Sequence, residues 1–271
     1  MDCIVYDGKL IPKSEFTLSL SNRAFRYGDA LFETILISNG VPANLPLHLE
    51  RLARGMELLK MDLPNWLEGK EIHEALQELS QANKLPYGRA RMTVYRSGEG
   101  LYSPEINDVT YVIEIEGIRP NDPSGLQVGI YRETKKPIHL LSNLKTSNAL
   151  QYVLAGVYKK EKGYDDCLIL NEKGSVAEAI SSNVFFIKGN NLFTPATGEG
   201  CVLGVMRKKI LMAAHSYFDA VTECEILPED LIGFDEAYLS NAIQGIRWIK
   251  SIDDYVFNCK KLPLMEKLVK Q

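Results

Sequence analysis

The stretch RPNDPSG, Arg119 to Gly125, sets two prolines, an aspartate and a glycine between two strand-like runs, TYVIEIEGI and LQVGIY. Proline fixes φ and removes an amide donor, while glycine loosens the backbone, so neither a sheet nor a helix runs through such a stretch. The chain is therefore expected to fold as two bodies, a small N-terminal domain over 1–118 and a larger one over 126–271, joined by a linker at 119–125.

Before the break, CIVYDGKLIP reads as a hairpin turning at Asp7-Gly8, and ALFETILISNG as a strand ended by Asn39-Gly40. From Pro46 the apolar residues Leu47, Leu49, Leu52, Met56 and Leu59 fall mostly at three- and four-residue spacings, which predicts a helix that Pro64 ends. GKEIHEALQELSQANKL predicts a second helix, and GRARMTVYRSG and TYVIEIEGI two more strands. After the break, LQVGIY, DCLILN, NVFFIKG and NNLFTP read as strands, and SNALQYVLAGVYKKEKG and GVMRKKILMAAHSYF as helices. Hairpins mixed with helices, without strict alternation, point to two α+β units and not to a doubly wound sheet.

Composition removes several classes of function. Hydrophobic residues make up 45% and charged residues 24%, enough to build a core, and the net charge of -4 gives no basic field for a nucleic acid. No stretch reaches the ~18 consecutive apolar residues of a membrane span, and MDCIVYDGKL lacks the pattern of a secretion signal, so the expectation is a cytoplasmic protein without a membrane partner. Cys3, Cys167, Cys201, Cys224 and Cys259 are scattered and the four histidines dispersed, which argues for free thiols and no metal centre.

Five segments carry residues suited to chemistry. Lys145, in SNLKTSNALQYVLA, precedes a helix whose apolar positions Ala149, Leu150, Val153 and Leu154 are expected to face the core; alone it reads as a solvated helix start, but a desolvated lysine forms Schiff bases with aldehydes. Glu178, in GSVAEAISSNVFF, is either a turn carboxylate in solvent or, with Ser181, Ser182 and Asn183 lining a polar pocket, the partner of a cofactor's pyridinium nitrogen. HLERL puts His48 and Arg51 on one helix face, where the arginine is either an exposed charge or a phosphate ligand. Gly204 closes a loop just before a helix, so the amides of Val205 and Met206 form an anion site, and SNAIQG is either a second such loop or a cap.

In this order the segments resemble the class IV aminotransferase family, the fold-type IV enzymes that use pyridoxal 5'-phosphate (PLP). RAFRYGDALFET is similar to the family's N-terminal segment, HLERL to its phosphate arginine, LKTSNAL to its Schiff-base lysine, GSVAEAISSNVFF to its glutamate segment, and GVMR and SNAIQG to its two later phosphate loops. The resemblance implies the two-domain α+β fold of D-amino acid aminotransferase-like enzymes, PLP as cofactor, a small-molecule amine as substrate, and a homodimer with sites near the subunit interface. It implies that Lys145 holds PLP and moves protons, Glu178 meets the ring nitrogen with Ser182 and Asn183 beside it, and Arg51, Val205 and Met206 bind phosphate. Asn241 and Ala242 would form the last phosphate loop, with alanine where many relatives place a threonine.

The reaction is read from departures. Branched-chain transaminases usually carry a tyrosine five residues after the lysine, and here that residue is Leu150; the D-amino acid enzymes' arginine and histidine are missing from RSGEGLYSPE. The leucine, GVMR and the NA loop are similar to 4-amino-4-deoxychorismate lyases, a folate-synthesis branch in which Thr34 would relay a proton, although that branch's usual glycine-segment arginine is absent. A transaminase of an amino acid is the alternative. Arg26, Tyr27, Arg96 and Arg247 are candidates for the substrate carboxylate.

Overall fold

In the computed structural model, which describes residues 2–118 and 124–270, Asp7 and Gly8 both take left-handed conformations, φ 47° and 78°. Such a turn matches the twist of a two-residue hairpin, and it joins β1 (Cys3–Tyr6) to β2 (Lys9–Pro12). The short helix α1 (Arg23–Tyr27) leads into β3 (Ala30–Ser38), and a second hairpin over Asn39-Gly40 brings back β4 (Val41–Pro42). Helices α2 (Leu45–Leu58) and α3 (Lys70–Ala82) follow, then β5 (Gly88–Arg96) and β6 (Val109–Gly117). Pro64 does not end α2; the helix stops at Leu58, and Lys60 turns left-handed at φ 57°.

These strands make an antiparallel sheet of order β2-β1-β6-β5-β3-β4. Strand alternation sends Leu31, Glu33, Ile35 and Ile37 to the face where Leu49, Leu52 and Met56 of α2 and Ile72, Leu76 and Leu79 of α3 close the core. Phe32, Thr34, Arg89, Arg91 and Thr93 occupy the opposite, half-buried face.

The second body begins with β7 (Leu126–Lys136), followed by α4 (Leu150–Lys162), β8 (Asp166–Asn171), β9 (Val176–Ala179), β10 (Asn183–Lys188) and β11 (Asn191–Pro195). Then come α5 (Val205–Ala214), β12 (Ala220–Cys224), β13 (Glu236–Asn241), β14 (Gly245–Ile252), β15 (Tyr255–Val256) and α6 (Leu262–Lys270). Its mixed sheet runs β12-β11-β10-β13-β14-β7-β8-β9, with β15 paired to β14. The apolar run in β10 is explained by burial on both faces: Val184 and Phe186 enter one core, Phe185 and Ile187 another that α5 and α6 cover.

The chain divides into one unit of Met1–Pro120 with Leu144–Asn148 and another of Asn121–Asn143 with Ala149–Gln271, so the lysine segment joins the first body although it lies deep in the second body's sequence. Of the linker assigned at 119–125, residues 119–123 lie outside the described residues. On α4, Leu150, Val153 and Leu154 do not face the core; they are 72%, 56% and 41% exposed. The inward set is Tyr152, Ala155 and Tyr158, because the layer over β7 and β8 is built from Tyr131, Cys167 and Ile169. Among the described residues no helix is long and apolar enough to cross a membrane.

Candidate active site

In the first unit the lysine segment is held by backbone pairing. Phe32 donates its amide to the Lys145 carbonyl at 3.0 Å, Ser147 donates to the Ala30 carbonyl at 2.9 Å, and Thr146 bridges Leu31. Asn148 donates its Nδ2 to the Gly28 carbonyl at 3.0 Å; a Cβ on Gly28, left-handed at φ 64°, would lie 2.6 Å from Asn148 Oδ1, which explains the glycine in RYGD. The Lys145 ammonium lies 4.4 Å from the Phe32 ring centroid, and the Arg91 guanidinium 3.8 Å from the same centroid. Thr34 stands two residues beyond Phe32 on that strand face, directly across from Arg91. Burial and then neighbouring Arg89 pull the Arg91 guanidinium below its ordinary value, with Glu114 opposing them.

On the other face of β3, Glu33 is 1% exposed and holds two residues of α2. It accepts from Arg51 Nε at 2.8 Å through Oε1, and Oε2 takes His48 Nδ1 at 2.6 Å together with Arg51 Nη2. Burial alone would raise this carboxyl, but the Arg51 charge, the His48 hydrogen bond and the hydrogen bond from Arg51 outweigh it and bring Glu33 down to about 2. The Nε and Nη2 edge of the Arg51 guanidinium is thereby fixed in direction.

In the second unit Glu178 sits on β9, not in a turn, and is 3% exposed. Its Oε1 accepts from Lys136 Nζ at 2.5 Å and from the Tyr152 hydroxyl at 2.7 Å, and its Oε2 from the Val202 amide at 2.9 Å. Asn183 donates to the Val202 carbonyl at 2.9 Å and so pins the same loop. Gly204 follows as the N-terminal cap of α5, with no side chain capping the helix; a Cβ there would collide with the Asn183 side-chain oxygen. The α5 start at Val205 and Met206 carries the positive end of the helix dipole. Asn241 donates to Ser182 Oγ at 3.0 Å and accepts the amides of Ile243 and Gln244 at 3.0 and 2.7 Å, a turn that includes Ala242. Ser240, opposite Asn183, buries a hydroxyl that has no partner among the described residues.

The substrate candidates fare differently. Arg96 is buried and committed to Asp29 and to the carbonyls of Leu59 and Lys60, with Asn107 beside it. Tyr27 packs against Tyr102, rings 5.4 Å apart, under the Arg23 guanidinium. Arg26 donates to the Leu20 carbonyl at 2.7 Å, and Arg247 lies on β14 across from Leu239. Sequence reasoning missed Lys136, Tyr152, Phe32 and Arg91. Only Arg91 left a trace, the alternation of GRARMTVYR that puts it on the non-core face.

The donor set divides between the units: the first carries an amine, Lys145, and an arginine held by Glu33, and the second a carboxylate held by Lys136, a glycine-led helix start and an orphan hydroxyl at Ser240. With the fold, it defines a PLP-dependent enzyme of fold type IV. The chain belongs to the class IV amino-transferase family, whose model matches residues 30–252. It is similar to the aminodeoxychorismate lyase of Bacillus subtilis, 28% identical over 254 residues, covering 90% of this chain and 84% of that one. It is also similar to a probable branched-chain-amino-acid aminotransferase of Rickettsia bellii, 26% identical over 265 residues, covering 94% and 90%. The crystal structure of 4-amino-4-deoxychorismate lyase from Pseudomonas aeruginosa aligns with a TM-score of 0.83 at 28% identity, over 99% of this chain and 97% of that one.

Proposed function

We propose that the chain is a 4-amino-4-deoxychorismate lyase-like enzyme that releases 4-aminobenzoate and pyruvate, acting as a cytoplasmic homodimer in folate biosynthesis. The observation that carries the reading is the face of β3 and β5 on which Thr34 stands across from Arg91 and two residues from Phe32, the ring that Lys145 and Arg91 both approach. An amine base, a hydroxyl and a half-desolvated guanidinium on one surface suit an elimination from a carboxylated amine. The exposed stripe Leu150, Val153, Leu154 and Val157 on α4 supports self-association, and it leaves position 150 without the tyrosine usual in branched-chain transaminases.

In this reading PLP, when bound, supplies the electron sink for charge at the amine-bearing carbon. Lys145 would hold the cofactor and, once the substrate amine has replaced it, would take the proton from that carbon. The carbon–hydrogen electron pair becomes part of the aromatic ring as the carbon–oxygen bond to the three-carbon fragment breaks, and Thr34 passes a proton to that departing fragment. Arg91 binds a substrate carboxylate. Glu178, with Ser182 and Asn183 beside it, would meet the ring nitrogen; Arg51, the α5 start at Val205 and Met206, and the Asn241-Ala242 turn would take the phosphate.

The test is product analysis. Aminodeoxychorismate is expected to give equal amounts of 4-aminobenzoate and pyruvate, and K145A to abolish both. Thr34→Val should lower that yield by about 10²-fold, the scale of one positioned proton donor. A protein that makes no aminobenzoate but forms oxo acids from L- or D-amino acids with 2-oxoglutarate is instead the transaminase, a reading favoured by the Rickettsia bellii relative's coverage of 94% of the chain.

A further inference from the structure

Lys136 is the one buried lysine among the described residues, its side chain 7% exposed, and its Nζ lies 2.5 Å from Glu178 Oε1. Burying an ammonium is costly without a partner of opposite charge, so its place demands explanation. The strand is responsible: β7 loses register with β8 between Tyr131 and Lys136, and while Arg132, Glu133 and Lys135 are exposed, Lys136 turns inward opposite Asn171. Irregularities of this kind re-aim side chains beside functional sites.

We infer that Lys136 is a positioning residue for the cofactor's ring: its ammonium holds Glu178 as an anion by Oε1 and leaves Oε2 to meet the protonated ring nitrogen. This rests on the reading of Glu178 given above. A carboxylate buried alone sheds its charge or swings toward water; a cation on one oxygen closes both routes. Tyr152, from α4, shares that oxygen as a neutral donor, because burial and then the Glu178 charge push its phenol far above the ordinary value. Cys201, whose thiol feels the Glu178 charge, stays a thiol: burial pushes it up to about 11, with Arg207 opposing and Glu178 reinforcing. Oε2 accepts one neutral amide, that of Val202, and a carboxylate oxygen has room for a second donor.

The full-length protein loaded with PLP provides the test, through the cofactor's dissociation constant and the pH profile of its visible absorption. Lys136→Met is expected to weaken the cofactor by about tenfold or more, the usual scale for a residue that orients a ligand-binding group, and to displace the pH profile in the direction that Glu178→Ala does. Lys136→Arg should restore both, and Tyr152→Phe should shift both less. Wild-type values in Lys136→Met overturn the inference, and so does Lys136→Arg behaving like Lys136→Met, which would leave the charge no part. If Lys136→Met does not fold, Lys136→Gln is judged by the same two criteria. A wild-type protein without PLP absorbance, or one whose spectrum K145A leaves unchanged, brings down the cofactor reading itself; the Lys136 outcomes bear on the inference alone.

Discussion

Glu33 and Glu178 are near counterparts, one in each unit: buried strand glutamates, 1% and 3% exposed, each held by a basic side chain. Their duties are opposite. In the first unit both oxygens of Glu33 are occupied by Arg51 and His48, and the group left to act is the arginine, whose side chain is 15% exposed against 2% for the glutamate. In the second unit, on the reading proposed above, the cation is the support and the carboxylate acts: Lys136 and Tyr152 share one oxygen, while the other accepts the Val202 amide. Buried ion pairs contribute little net stability on their own. What each achieves in this reading is direction: one member of the pair aims the other.

That contrast makes ordered predictions. Glu178→Gln, which keeps shape and removes charge, should lower kcat by about 10²–10³-fold, as the loss of one preorganised electrostatic group does, and should also cost about 3–5 kcal/mol in urea unfolding because it leaves the buried Lys136 uncompensated. Glu33→Gln should cost a similar amount, about 3–5 kcal/mol in urea unfolding, because it leaves Arg51 uncompensated, but the chemical step in cofactor-saturated enzyme should change little. Equal effects on kcat from the two variants would end the contrast.

Acid should tell the same story more gently. Glu33 sits at about 2 when folded, below its ordinary 4.5, so its contribution is complete above about pH 4.5 and is lost as pH falls toward 2. Wild-type stability should therefore drop across that window, and Glu33→Gln should show a shallower drop when unfolding is followed by circular dichroism. The smallest effect belongs to Arg51→Lys: the charge persists but the fork is gone, so cofactor affinity should fall by about 1.5–3 kcal/mol in a fluorescence titration, with stability nearly intact.

Local pattern carried much of the fold. The Asp7-Gly8 and Asn39-Gly40 turns, the alternation in β3 and β5 and the spacing in α2 and α3 are properties of contiguous residues, and they were legible. Lys136 was not, because ETKKP reads as a solvated strand end and only a slip against β8 turns its last lysine inward. The strand of Glu178 is four residues long, too short for periodicity to announce. The misread face of α4 has another cause: aromatic Tyr152 and Tyr158 took the inner layer, and the aliphatic residues that ordinarily fill a core were left outside. Arg91 needed the β3–β5 register to be seen across from Thr34.

The excursion of Leu144–Asn148 has one last consequence, for anyone who would take the protein apart. The chain passes between the units three times, after Pro120, after Asn143 and after Asn148, so no single cut yields two whole pieces. A fragment ended at residue 118 would carry β3 without the segment that bridges it and without Lys145. Split halves, grafted chimaeras and circular permutants of this chain therefore have to treat those five residues as a borrowed part, returned to the first unit each time the second is moved.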